Sequence, residues 1–352
     1  MIRPLQKSSI LIKLFAGMLV GIFPIIVLYL HSENFHKSKN AFYRVFPSHV
    51  ILRTAILEGR SNNDYIIGKS ASNIYISNNH NPFELSIVNM NLHDTHSVHF
   101  SISDYQNYDP SQIMVSIDSP NFFIVDKIRS IVFQGDINNS GNIKTIDTLK
   151  FSSSATSAIS AKSIILRTYL DKIQSNILTK VNLSVPTFKN SANVLEKQVD
   201  GFFCTDGSMQ IDYQSNRLVY MYFYRNQFIC LDTNLQVIYR SKTLDTNSQS
   251  KIEVRIVHEQ NILASPPVLV NKFICLSGKS ILICSALCAD NEDRKAFKNN
   301  SVIDVYDSKD GRYRFSFYLP KIHNNKISSF ALQGKQLFTI QGNSLVRYDL
   351  DL

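Results

Sequence analysis

Tryptophan is absent from the 352 residues, which removes the stacking platforms of many sugar-binding sites and the Trp docking motifs of several quinone-dependent propeller enzymes. No C-x-x-C pair occurs among Cys204, Cys230, Cys275, Cys284 and Cys288, so the usual thiol signatures of zinc binding and redox chemistry are missing. Several of these cysteines sit in apolar strand-like runs such as Phe228-Ile229-Cys230-Leu231, where a free thiol behaves as a small buried hydrophobe. Cys284 and Cys288 are close enough in sequence to leave a disulfide open in an oxidising compartment.

A basic run is also missing. The formal charge is +9, but Arg3, Lys7 and Lys13 flank a hydrophobic N-terminal stretch, leaving 34 basic against 28 acidic residues scattered through every other segment. A nucleic-acid partner, which would call for lysine and arginine gathered on one face with aromatics between them, is therefore not expected.

Phosphate-loop, nucleophile-elbow and metal motifs fail on spacing. Gly68-Lys69-Ser70 and Gly278-Lys279-Ser280 end like a phosphate-binding loop, yet Asn63 and Phe273 stand where its first glycine belongs. There is no Gly-x-Ser-x-Gly elbow, although a triad assembled from distant segments would leave no local trace. From Asp136 to Gly141, with Asp147 at the twelfth place, the chain resembles a calcium loop, but Lys144 occupies a ligand position and the flanks read as strands. His93, His96 and His99 lie beside Asp94, and in a strand His96 would point away from the other two. In both places a polar hairpin is favoured over a metal site, and no catalytic, cofactor-binding or metal-ligating residue is assigned.

What is present begins with the N-terminus. Leu14 to Leu30 is a run of seventeen residues without charge, long enough to span a bilayer as a helix. Arg3 and Lys7 would also suit a signal peptide, but the stretch ends Val27-Leu28-Tyr29-Leu30-His31 with no small-residue cleavage pattern and no lipid-accepting cysteine. An uncleaved anchor over residues 1–30 is expected, with the domain outside the cytoplasm, although Lys37, Lys39 and Arg44 weaken the positive-inside bias. Gly17 and Gly21 have the spacing of a helix-packing pair, and three Asn-x-Ser sequons stand at Asn138, Asn182 and Asn299.

Beyond a juxtamembrane linker at residues 31–47, short alternating runs separated by Asn, Asp, Ser and Gly predict an all-β domain over 48–352. Ser301–Asp307 and Arg312–Leu319 read as a hairpin around Ser308-Lys309-Asp310-Gly311. Arg217–Tyr224, Gln227–Leu231 and Leu235–Arg240 read as a meander. Strands ending in an apolar residue or Tyr followed by Asp recur at Asp126, Asp171, Asp232, Asp307 and Asp349, with gaps of 45, 61, 75 and 42 residues. The shorter gaps suit one four-stranded propeller blade, and the polar insertion Ala289–Asn300 lengthens the longest.

Asp304-Val305-Tyr306-Asp307 through Phe317, and Leu345-Val346-Arg347-Tyr348-Asp349, resemble blades of membrane-anchored bacterial six-bladed β-propeller proteins. The resemblance implies about six blades, closed by pairing His49–Ile56 with Ser344–Asp349. Two stacked β-sandwiches divided near Ala192–Gly201 also fit the strand count. The expected function is a tethered binding or interaction platform in the bacterial inner membrane, facing the periplasm, with a protein or small ligand at the loop face and no cofactor. The alternative is a hydrolase- or lactonase-type propeller with a metal or polar site at its central channel.

Overall fold

The apolar and β-branched runs pair as antiparallel meanders because only two to five residues join most of them, too few for a crossover connection. In a computed structural model of the chain, the described residues are 13, 15–27, 40–102, 105, 107–147, 153–185, 187–257 and 260–352. They contain six four-stranded sheets and one separate two-stranded hairpin. Blades 1 to 5 begin with the strands Asp64–Lys69, Ile113–Asp118, Ser153–Ser160, Gly207–Asp212 and Asn271–Ser277, and each is followed by its three successive partners. Blade 6 consists of Ser329–Gln333, Gln336–Gln341 and Ser344–Leu350, completed by Ile51–Leu57 from the other end of the chain.

The first strand of each blade neighbours the first strands of the blades on either side, so six inner strands surround one axis. This is a six-bladed β-propeller, which replaces the alternative of two sandwiches: no pair of sheets stacks alone, because every sheet packs against two others. Six hydrophobic clusters fill the six seams. The seam between blades 4 and 5, for example, joins Val219, Met221 and Phe228 to Ile274, Ile281 and Tyr306. Burial on both faces explains why second and third strands such as Arg217–Tyr222 and Gln227–Asp232 are continuously apolar rather than alternating.

Ring closure takes the expected form. Thr54, Ala55, Ile56 and Leu57 pair antiparallel with Tyr348, Arg347, Val346 and Leu345. The hairpin around Ser308–Gly311 and the meander after Arg217 are also present, with Gly311 at φ 74° in its turn. The Asp recurrence is not in phase: Asp126 ends the second strand of its blade, whereas Asp232 and Asp307 end third strands. The polar insertion contains a short helix, Arg294–Asn299, whose N-terminus is capped by the Asp293 carboxylate accepting from Ala296 N at 2.8 Å.

The compact β unit begins at Ala41. Residues 42–46 run along blade 5, where Phe42 and Arg44 are buried and Ser316 N donates to Val45 O. Residues 31–39 of the expected linker lie outside the described residues. Of the expected span Leu14–Leu30, residues 15–27 are helical and the ends lie outside the described residues. Among the described residues no helix is long and apolar enough to cross a membrane.

Candidate functional site

Because all six blades start at the axis and run outward, their inner strands point the same way, and the two ends of the channel are chemically distinct. The starting end is reached by the connections between blades and by those joining second to third strands. Every connection longer than five residues lies there, including Phe100–Gln112, Ala192–Asp206, Thr243–Val270, Ala286–Asn299 and Lys321–Ser328. Among the described residues the opposite end carries turns of two to five residues.

At that tight end two side chains reach over the channel from opposite sides. Lys69, from blade 1, donates through Nζ to Leu276 O of blade 5 at 2.9 Å and to Leu332 O of blade 6. Tyr213, following the inner strand of blade 4, donates through Oη to Ile117 O of blade 2 at 2.8 Å and Ala158 O of blade 3 at 3.1 Å. Two residues thus tie all six inner strands. Burial holds the Lys69 amine below its ordinary pKa, partly opposed by Cys275 and Asp212. Burial also raises the Tyr213 hydroxyl, with Asp118 adding to the effect, so it stays a donor.

Between these residues and the loop end lies a cavity of about 570 Å³. Serine and threonine line much of it, among them Ser116, Ser154, Thr156, Ser157 and Ser208, alternating with Ile66, Val115, Ile211 and Leu332. Its charged wall is Arg167, whose side chain is 7% exposed and pairs with Asp206 at 2.6 Å. The same guanidinium donates to Ser154 Oγ at 2.8 Å, Gly207 O at 2.7 Å and Tyr220 Oη at 3.0 Å. Lys127 stands near the mouth, donating to Ser111 O at 2.9 Å, with its pKa lowered by burial. The arrangement suits a small polar guest held by hydroxyls and backbone groups. Among the described residues it presents no array of carboxylates and imidazoles converging from several blades.

The motifs singled out by sequence lie elsewhere or serve structure. His93 occupies an exposed turn, and His96 and His99 lie exposed on the outermost strand of blade 1, Thr95–His99. Asp136 pairs with Asn139 across the two-residue turn Ile137-Asn138, while Asp147 pairs with Ile131 at the far end of the same hairpin. Eight strand steps separate Asn139 from Asp147, on the order of 25 Å, so the calcium-loop spacing does not become a loop. Among the described residues no group of three or more His, Cys, Asp or Glu is placed to hold a metal ion.

Gly278-Lys279 is the hairpin turn between Ser277 and Ser280, with Gly278 at φ 57°. Gly68 lies on the inner strand, where an added Cβ would come within 2.3 Å of Ile117 Cγ2. Cys284 is buried, Cys288 is half-buried, and no disulfide joins any of the five cysteines. Arg167, Asp206 and Tyr213 escaped sequence reasoning because each acts with partners from other blades.

Comparison with known proteins extends as far as the fold. The fold is a six-bladed β-propeller with bacterial proteins among its neighbours. A putative exported protein from Bacteroides fragilis superposes with a TM-score of 0.57 at 10% identity, covering 88% of this chain and 99% of that one. A member of the DUF4221 family from Bacteroides vulgatus gives 0.53 at 12% identity, covering 86% and 97%. The expected resemblance to bacterial six-bladed propellers holds at this level. No protein-family model matches the chain, and no curated protein does.

Proposed function

We propose that the protein is a single-pass component of a bacterial inner membrane whose propeller faces the periplasm and acts as a binding platform, with its recognition surface on the long-loop face. The observation that carries this reading is the one-sided distribution of connections. A stiff scaffold that keeps one end trimmed to tight turns and elaborates the other with segments of up to 28 residues concentrates variable, contact-making surface at a single face. The uncharged Leu14–Leu30 run supports the tether, and the description of the similarly folded Bacteroides fragilis chain as a putative exported protein is in keeping with the compartment. The hydroxyl-lined cavity at the centre of that face offers a secondary site for a small polar ligand.

A hydrolase- or lactonase-type centre would draw several carboxylates or imidazoles to the axis. The axial lining of Ser, Thr, Ile and Val, with one Arg–Asp pair, favours binding over that chemistry. Crosslinking intact cells that carry a tagged full-length chain, with a control starting at Asn40, tests the proposal. A partner enriched only with the tethered form is expected. Recovery of the same proteins from both forms would refute the tethered platform.

A further inference from the structure

Among the described residues, nine exposed large hydrophobic side chains lie on connections between propeller strands. One, Val185, belongs to the tight-turn end. The other eight are on the long-loop face. They include Ile128 at the tip between two strands of blade 2, Ile173 in blade 3, Val199 and Phe202 ahead of blade 4, and Val257 and Ile262 ahead of blade 5. The last two belong to the separate hairpin of Val254–Val257 with Gln260–Leu263. The long-loop face also has roughly three times as many connecting residues as the tight-turn end, so the count alone decides nothing; what bears on the face is that its apolar tips come from four separate connections at the end where the chain enters the propeller.

The point where the chain joins the propeller lies on the same face. Ala41 N donates to Asp290 Oδ2 and Arg44 N to Asn291 Oδ1, both acceptors being in the long connection Ala286–Asn299. Phe42 O accepts from Asp290 N, and only then does the chain run across blade 5 toward the opposite end, where Val50 O accepts from Asp351 N. Only ten residues, 31–40, separate the uncharged Leu14–Leu30 run from Ala41. At about 3.3–3.6 Å per residue, ten residues reach at most about 36 Å.

Exposed bases accompany the apolar tips, Arg129 beside Ile128, Lys172 beside Ile173 and Arg255 near Val257. Exposed acids such as Asp171, Glu196 and Glu253 offset them, so the attraction rests on apolar contact rather than on charge. A face of separated Ile, Val and Phe tips with polar residues between them matches the boundary between lipid headgroups and acyl chains.

We infer that the long-loop face is the surface this propeller lays on a lipid bilayer, so that the central cavity opens toward the membrane. The inference rests on the anchor proposed above. It gives that recognition surface its setting: the long-loop face meets the membrane surface, and ligands reach the Arg167–Asp206 wall from there.

The absence of tryptophan makes the test clean, because any introduced indole is the sole one in the chain. Full-length Ile128→Trp, Phe202→Trp and Val185→Trp are reconstituted into phosphatidylcholine vesicles with and without bromine-labelled acyl chains. At least twofold quenching at 128 and 202, with none at 185, is expected. Vesicle flotation of the same samples separates the two ideas. Proteins that float but show equal, negligible quenching at all three positions would overturn the bilayer contact and leave the anchor intact, assigning the apolar tips to a protein partner. Proteins that fail to float would refute the anchor itself. Two reporters on the face guard against loss of one variant through misfolding.

Discussion

Arg44 is where a single substitution should tell most about how the start of the propeller is held. Its guanidinium donates to both oxygens of Asp304, from Nε at 2.7 Å and Nη2 at 3.1 Å, and from Nη1 to Glu292 and to Leu287 O at 3.0 Å. The three side chains are 0%, 3% and 0% exposed for Arg44, Asp304 and Glu292. The two carboxylates hold the Arg44 pKa above its ordinary value despite the opposing effect of burial. Arg44→Ala leaves two desolvated carboxylates without their cation. Breaking one buried pair costs about 3–5 kcal/mol, and one cation serving two anions belongs at the upper end. With about 2.1 cal/mol/K of unfolding entropy per residue over roughly 300 residues, that loss lowers Tm by about 5–8 °C. Thermal melts at neutral pH measure it. The triple variant Arg44→Met, Glu292→Gln, Asp304→Asn should recover most of the loss, since removing all the charges removes the uncompensated ones. An Arg44→Ala melt within 1 °C of wild type, or no recovery in the triple variant, would refute this account.

Ending the chain at Asn343 removes Ser344–Leu350, which pairs on both sides, and should leave no soluble domain in fractionated lysates; a soluble product with an unchanged melt would be fatal to closure by the two termini. Burial pushes the Cys275 and Cys284 thiols up to about 12 from 9.0. The raised folded values mean their contribution is complete below pH 9 and is lost as pH rises toward 12, because the unfolded chain releases these protons first. Urea midpoints from pH 8 to 10.5 should fall, the two thiols steepening the slope by up to about 2.7 kcal/mol per pH unit, and the double alanine variant should show a shallower fall. Tyr213→Phe deletes the donor shared by Ile117 O and Ala158 O and should cost about 1 kcal/mol in urea titration, whereas a stabilised variant would contradict the bridging role. Gly201→Ala places a Cβ within 1.8 Å of Gln174 O, so a loss of about 1–3 kcal/mol is expected from denaturant melts, and a neutral result would argue against that close approach.

The blade count and the closing pair were legible because their signals are local: alternating or continuous apolar runs, Asp-Gly turns, and two unpaired strands at the chain ends. The Asp recurrence led to the right number for a mixed reason. Asp126 and Asp232 occupy different strands of their blades, yet both stop a strand in the same way, with Asp126 Oδ1 accepting from Ile128 N and Arg129 N, and Asp232 Oδ1 from Asn234 N and Gln236 N. The repeated unit was the strand stop, not the blade. The channel was illegible because its walls combine single residues from six sheets. Lys69 drew attention as part of a failed phosphate motif, and its actual partners, Leu276 O and Leu332 O, lie more than two hundred residues away. Arg44 read as one of several charges weakening a topology signal, and nothing near it in sequence announced Glu292 or Asp304.

Pairing Ile51–Leu57 with Ser344–Leu350 also sets a clock on biosynthesis. The early strand leaves the ribosome about 290 residues before its partner exists, which at 5–20 residues per second is an interval of about 15–60 s. Throughout that time blades 1 to 5 can stack on one another while the ring stays open, with one β-strand unpaired. Ser344–Leu350 therefore decides whether everything made before it becomes a ring, and a chain released before that strand is made is an open arc with two adhesive edges.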